Sequence, residues 1–245
     1  MSHIHRECKI YIIKEPVGYE KIWKIQKHIV AEKTNRLNRE DVLLILEHKS
    51  VYTIGKNGNR SNFLISEEFI KNKGIDLYEI ERGGDITYHG PGQIVVYPIF
   101  NLKSLKIGVK DFVYLLEEVM IETANSFGIV LTRRDINRGV WYKDKKIGFI
   151  GISIKKGITY HGIALNVSMD LTPFSWINPC GLRGVELTDF SNIIGKVIDI
   201  NKAKEIIKEK FVDVFNIKPV LTQYLTTQDI NYESFKFTSE KARVA

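Results

Sequence analysis

The sequence predicts an α+β fold: a mixed or antiparallel sheet core with flanking helices. Residues 139–171 read as strand upon strand, and the turn signals at Lys143-Asp144 and Lys155-Lys156-Gly157 fit antiparallel hairpins rather than βαβ crossovers. Helical patterns of apolar residues lie outside that run, near residues 19–33, 111–128 and 202–215. A chain of 245 residues that is 44% hydrophobic is long and apolar enough to bury a sizeable core between such layers.

Taken in order, Ile22, Ile25, Ile29 and Val30 recur at helical spacing among charges, with Gly18 just upstream as a boundary. Asp41-Val42-Leu43-Leu44-Ile45-Leu46-Glu47-His48 and Val51-Tyr52-Thr53-Ile54-Gly55 are short apolar runs and read as two strands. Strands at 77–80 and 94–100 flank a glycine-rich stretch, and the next helix takes Asp111 as its N-terminal cap and ends near Gly128. After Pro179 come a glycine-bearing turn, a short helix from about residue 188 and a last helix over 202–215. No linker divides the first 200 residues, so one domain over 1–218 is expected, with the polar residues 219–245 as an appendage or tail.

Composition excludes several classes. No run approaches the roughly 20 apolar residues of a membrane span, and Met1-Ser2-His3-Ile4-His5-Arg6-Glu7-Cys8 has no apolar signal core, so a cytoplasmic protein without a membrane partner is expected. Cys8 and Cys180 match no zinc or redox spacing, which leaves two reduced thiols. A net charge of +7 favours acidic partners. The basic residues are scattered and lack interleaved aromatics, so nucleic acid is not expected.

The chemistry-bearing stretch is Arg82-Gly83-Gly84-Asp85-Ile86-Thr87-Tyr88-His89-Gly90-Pro91-Gly92-Gln93. It combines glycines, which let a backbone approach a ligand, with guanidinium, hydroxyl, imidazole and amide groups. Its centre echoes downstream: Ile86-Thr87-Tyr88-His89-Gly90 recurs as Ile158-Thr159-Tyr160-His161-Gly162. Both copies read as a strand leading to a turn that delivers Thr and His to one face. Lys145-Lys146-Ile147-Gly148 opens an apolar run, and Asn178-Pro179-Cys180-Gly181 sets a thiol in a tight turn.

Familiar signatures fail when read strictly. Gly90-Pro91-Gly92-Gln93-Ile94-Val95 has valine at the third glycine of a dinucleotide fingerprint, and Gly151-Ile152-Ser153-Ile154-Lys155 misses the last glycine of a serine-hydrolase elbow. Gly55-Lys56 lacks the upstream glycine of a phosphate loop, and no His-Glu-x-x-His or Cys/His cluster implies a metal. A thiol, an amine and a glycine loop remain.

Those parts suit covalent acyl transfer. A cysteine is mostly thiol at neutral pH, and a nearby lysine favours the thiolate either through its charge or, when neutral, as a base. Proline before Cys180 fixes the incoming backbone, and the Gly181 amide is a candidate oxyanion donor. Taken singly, each residue also has an ordinary reading: Cys180 as a small buried hydrophobe, Lys146 and Arg82 as surface charges, His89 and His161 as structural histidines, Cys8 as inert.

Jointly, these residues resemble the lipoyl(octanoyl) transferases, the lipoate-protein ligase B type. The family's Arg-Gly-Gly-x-x-Thr-aromatic-His-x-x-Gly-Gln pattern is met from Arg82 to Gln93, and its Pro-Cys-Gly turn is met at Pro179-Cys180-Gly181. Its Lys-Ile-Ala-x-aliphatic-Gly pattern resembles Lys146-Ile147-Gly148-Phe149-Ile150-Gly151, with Gly148 in place of alanine, and its His-Gly-x-Ala-Leu-Asn-Val segment runs from His161 to Val167. The likeness spans about residues 40–195.

The resemblance implies the fold of biotin and lipoate protein ligase catalytic domains and no cofactor. It implies that Cys180 forms an acyl thioester and that Lys146 lowers its pKa and relays protons. The acyl substrate would be held by Arg82, Gly83, Gly84, Asp85, Ile86, Thr87, Tyr88 and His89, by Phe149, Ile150 and Gly151, and by Gly162, Ile163 and Ala164. The implied donor is octanoyl-acyl carrier protein, and the implied acceptor is a lipoyl domain of a 2-oxoacid dehydrogenase complex or the glycine cleavage H protein. Gly148 would loosen packing beside the pocket. An ATP-dependent lipoate ligase on the same scaffold is the nearest alternative, although its Arg-Arg-x-x-Gly-Gly-Gly loop is not matched by Glu81-Arg82-Gly83-Gly84-Asp85. A non-catalytic acyl-binding or carrier-binding module is another, and it would gain nothing from a thiol.

Overall fold

The computed structural model describes residues 6–35, 40–135, 137–181 and 184–235. The chain opens with strand β1 (Arg6–Ile13), helix α1 (Tyr19–Thr34), β2 (Asp41–Leu46) and β3 (Val51–Ile54). A short helix α2 (Glu67–Asn72) leads to β4 (Asp76–Glu79), β5 (Ile86–His89) and β6 (Gln93–Ile99). Helices α3 (Leu102–Leu105) and α4 (Val109–Asn125) precede the hairpin strands β7 (Thr132–Arg133), β8 (Gly139–Tyr142), β9 (Lys145–Lys155) and β10 (Ile158–Asn166). Helices α5 (Phe190–Ile194) and α6 (Ile200–Val214) then return the chain to β11 (Ile217–Leu225).

Eight strands form one mixed sheet in the order β11-β1-β2-β6-β10-β9-β8-β7, parallel where β1 meets β2 and β11 and antiparallel elsewhere. Its central strands are apolar on both faces, as a sheet covered on both sides must be. Alternate residues divide them: Ile10, Leu43, Ile45, Ile94, Val96 and Leu165 meet α4 and α6, while Tyr11, Val42, Leu44, Val95, Tyr97 and Ala164 meet α1 and a second sheet. That second sheet, β4-β3-β5, has three strands. The predicted α+β class and the hairpins turning at Lys143-Asp144 and Lys156-Gly157 hold.

Two local expectations change. Asp111 is not the cap of α4: it sits in the first turn and its Oδ2 accepts the Gly108 N–H at 3.2 Å, so the helix begins two residues earlier. The strand read within the 82–93 stretch holds: Ile86–His89 pairs antiparallel with β3. Residue 218, the expected end of the main domain, lies within β11, which runs parallel to β1, and Phe235 is fully buried with its ring 4.7 Å from that of Tyr11. Strand β11 is exposed along its middle and carries Pro219 where the register slips by one residue, the edge position at which proline is tolerated. Residues 236–245 of the expected appendage lie outside the described residues.

Gly148 does not leave a gap. A Cβ there would meet Val140 Cγ2 at 2.5 Å and Met120 Sδ at 2.7 Å, so neighbouring side chains already fill the space a methyl would take.

Candidate active site

Strand β9 and the turn after residue 176 bring the expected thiol and amine together. Lys146 N–H donates to Glu186 O at 2.9 Å and Lys146 O accepts from Thr188 N–H at 3.1 Å, which docks the segment after the cysteine turn onto the start of β9. On its other side, Asn178 N–H donates to Asn62 O at 2.7 Å and Leu64 N–H to Trp176 O at 2.8 Å. Between these anchors Cys180 sits in a left-handed conformation (φ 59°, ψ 21°). Lys146 Nζ lies 3.8 Å from Cys180 Sγ and donates to Asn137 Oδ1 at 2.7 Å and Arg138 O at 3.0 Å.

These partners match the three donors of an ammonium. Lys146 is 1% exposed, with the rings of Trp141 and Phe149 5.4 and 5.2 Å from Nζ. Burial pushes its pKa below the ordinary lysine value, while the Cys180 sulfur, by charge and hydrogen bond, pulls it back up. An amine in that balance can hold a proton beside a thiolate or release it when the sulfur is acylated. It is not the solvated surface lysine of its ordinary reading.

Cys180 opens onto a cavity whose empty space, open mouth included, is about 460 Å³. Of the expected substrate set, Arg82, Gly84, Asp85, Thr87, His89, Phe149, Ile150, Gly151, Gly162, Ile163 and Ala164 line it, together with Val95, Tyr97 and His161. Gly83, Ile86 and Tyr88 do not line it. Gly83 N–H donates to Ile152 O at 2.9 Å, Ile86 is buried in the core, and Tyr88 packs against Tyr52 and Phe174 with its hydroxyl on Ser50 Oγ at 2.9 Å.

Arg82 is buried and acts locally. Its guanidinium donates to Thr53 O at 2.7 Å, Thr53 Oγ1 at 3.0 Å and Gly83 O at 3.0 Å, so its hydrogen bonds shape the loop. Its stem lies over Gly151, where a Cβ would come within 2.9 Å of Arg82 Cδ. The cross-strand partner Gly162 is required on different grounds: a Cβ would stand 2.0 Å from Val96 O of the neighbouring strand.

Two hydrogen-bond chains assign the tautomers of His89 and His48. Asn166 Nδ2 donates to Thr188 O, so its Oδ1 accepts from Gln93 Nε2 at 2.9 Å; Gln93 Oε1 then accepts from His89 Nδ1–H at 2.7 Å. In the second chain His48 Nδ1–H donates to Val17 O, so its Nε2 accepts from the Tyr97 hydroxyl at 2.7 Å. The Tyr19 hydroxyl lies 3.4 Å from His161 Nδ1. Burial lowers all three imidazoles, to about 3 for His48, about 4 for His89 and about 3 for His161, and the Arg82 charge lowers His89 and His161 further. A neutral His89 with its proton on Nδ1 leaves its Nε2 as an acceptor.

The Thr-His echo is thus shared only in part. Both histidines and Thr87 reach the cavity, but Thr159 Oγ1 donates to Pro98 O at 2.6 Å, away from the site, and β10 runs on past Gly162 without a turn. The Gly181 amide is not an oxyanion donor: it donates to Asn178 O at 3.0 Å and closes the cysteine turn. Of the seven left-handed non-glycine positions among the described residues, Asn137, His161 and Cys180 stand at this site. Sequence reading did not single out Asn137, Asn62, Val95 or Tyr97. Only Asn137 carried a signal, as an asparagine that tolerates φ > 0 just before Arg138-Gly139.

The model of the lipoyl protein ligase A/B catalytic domain matches residues 18–212. The chain is 45% identical over 200 residues to an octanoyltransferase of Desulfotalea psychrophila, covering 81% of this chain and 90% of that one. It is 43% identical over 199 residues to an octanoyltransferase of Alkaliphilus metalliredigens, covering 81% and 91%. Among solved structures it is similar in fold to a bipartite lipoate protein ligase of Thermoplasma acidophilum, with a TM-score of 0.71 at 15% identity over 97% of this chain and 96% of that one.

Proposed function

Because the chain belongs to the lipoyl protein ligase A/B catalytic-domain family and its relatives above 40% identity are octanoyltransferases, we infer that it is an acyltransferase moving octanoyl onto protein lysines in lipoylation. The ligase alternative is not favoured, since likeness to ligases stands at 15% identity and carries the fold alone. The observation that carries the mechanism is the 3.8 Å approach of Lys146 Nζ to Cys180 Sγ at a cavity walled by Phe149, Ile163 and Ala164.

In our reading the donor is octanoyl-acyl carrier protein and the acceptor a lipoyl domain of a 2-oxoacid dehydrogenase complex or the glycine cleavage H protein. The Cys180 proton passes to Lys146, and the thiolate attacks the thioester carbonyl. The carbon–sulfur bond to the carrier breaks, and the departing thiolate takes the proton from Lys146. The acyl group is now on Cys180. A neutral lysine amine of the acceptor then attacks that thioester; the new carbon–nitrogen bond forms, Cys180 leaves as thiolate, and Lys146 collects the proton lost by nitrogen. One thioester is exchanged for another and then for an amide, so no nucleotide is consumed.

Each buried methylene of the acyl chain contributes about 0.8 kcal/mol. Gly151 admits the Arg82 stem, and burial keeps the cavity histidines neutral. Transfer of octanoyl from its carrier to an isolated lipoyl domain, followed by mass with and without ATP, tests this reading. It is supported by transfer at equal rates in both, and an absolute need for ATP would restore the ligase.

A further inference from the structure

Asp85 stands in the glycine loop, and both of its carboxylate oxygens are engaged by the chain's own donors. Its Oδ1 accepts Asn59 N–H at 3.1 Å and Ile86 N–H at 2.6 Å, and its Oδ2 accepts Asn62 Nδ2 at 2.6 Å. Asn62 in turn accepts Asn178 N–H on its backbone oxygen at 2.7 Å, two residues before Cys180. Phe63 continues this contact as an antiparallel bridge to Ile177. The carboxylate also lies against the turn itself: a Cβ on Gly181 would meet Asp85 Oδ2 at 2.7 Å and come within 3.7 Å of Asn62 Nδ2.

The turn needs such support. Cys180 at φ 59° and Gly181 at φ 72° are consecutive left-handed residues, and only the second is a glycine. A non-glycine residue there is strained and persists only where its surroundings over-determine it. On the Lys146 side the turn is tied through the segment 186–188, and on the far side through Asn62 and Asp85.

We propose that Asp85 and Asn62 are positioning residues of the acylation step, a clasp that holds the Cys180 turn in its left-handed conformation with the sulfur at Lys146. The proposal rests on the octanoyl-transfer reading. It gives Asp85 a role other than the substrate contact implied by its place in the 82–89 stretch. The clasp has a polarity, carboxylate acceptor at 85 and amide donor at 62, and the polarity can be reversed. In Asp85→Asn the new amide oxygen can still accept Asn59 and Ile86 N–H, but its NH₂ confronts the NH₂ of Asn62. In the double variant Asp85→Asn/Asn62→Asp the donor and acceptor are exchanged and the pair is restored.

The test is single-turnover acylation of Cys180 by octanoyl-acyl carrier protein in the full chain, read by intact mass, with the carrier concentration varied. Asp85→Asn is expected to lower the acylation rate constant about tenfold, equivalent to ~1.4 kcal/mol, with half-saturation by carrier unchanged. The double variant is expected to return to within about threefold of the parent, ~0.7 kcal/mol. Should Asp85→Asn not fold by circular dichroism, Asn62→Ala, which removes the donor and leaves the carboxylate its two backbone partners, is measured in its place and is expected to show the same loss. An unaltered acylation rate in the single variant, a double variant no faster than the single, or a change confined to half-saturation would each overturn the clasp. Absence of any adduct on the parent chain would instead overturn the transfer reading.

Discussion

Lys146 Nζ and Cys180 Sγ stand 3.8 Å apart although 34 positions separate them in the chain. The approach depends on a lysine that is almost wholly buried and on a cysteine in a conformation that most residues avoid. Burial makes the lysine willing to be neutral, and the sulfur makes it willing to be charged. That opposition is what a proton relay requires.

Replacing Lys146 by methionine keeps the stem and removes the charge and the proton. The pH midpoint of Cys180 alkylation by iodoacetamide is expected to rise, and octanoyl transfer at pH 7 to fall by about 10²-fold or more, the usual scale of general acid–base help. An alkylation midpoint identical to that of the parent would remove Lys146 from its role.

The three buried histidines set a stability profile. Their folded values of about 3 to about 4 lie below the value near 6.5 of an unfolded chain, so unfolding takes up protons between these limits. The native state is therefore fully stabilised above about pH 6.5 and loses stability as pH falls toward 4, by about 1.4 kcal/mol per pH unit for each histidine. Urea midpoints at pH 7.5, 6.0 and 5.0 measure this. The expected result is little change to pH 6.5 and a steep decline below it, and a flat profile to pH 5 would contradict the neutral assignment.

Gly162→Ala forces a methyl to within 2.0 Å of Val96 O in the middle of the main sheet. A backbone atom cannot swing aside as a side chain can, so a loss of about 3 kcal/mol is expected in denaturant unfolding. Gly148→Ala meets only Val140, Met120 and Leu165 side chains, and Met120 is flexible, so its cost is expected to be smaller. An equal loss in the two variants would show that strand spacing near Gly162 is softer than the geometry indicates.

Much of this molecule is legible in its sequence where chemistry and conformation coincide in neighbouring residues. Pro179-Cys180-Gly181 and Lys146 could be singled out because a thiol in a tight turn and a lysine opening an apolar strand are local facts. The strands β2, β6, β9 and β10 announce themselves by apolar runs and turn residues. Strand β11 does not, since its middle is exposed and contains Pro219, and β1 acquires meaning only from the partners on its two sides. The histidine tautomers were illegible for a stronger reason. They are set by contacts such as Gln93 to Asn166, 73 positions apart, and His48 to Tyr97, 49 apart, which no local pattern encodes.

The central claim is covalent: the acyl group passes through Cys180. Incubating the purified chain with octanoyl-acyl carrier protein, without nucleotide or acceptor, and weighing the intact protein tests it most directly. The account predicts one added octanoyl group on the parent chain, mapped to the peptide containing Cys180, and none on Cys180→Ala. A parent chain that transfers octanoyl to a lipoyl domain yet never carries it, or a Cys180→Ala chain that still acquires the adduct, would contradict the account.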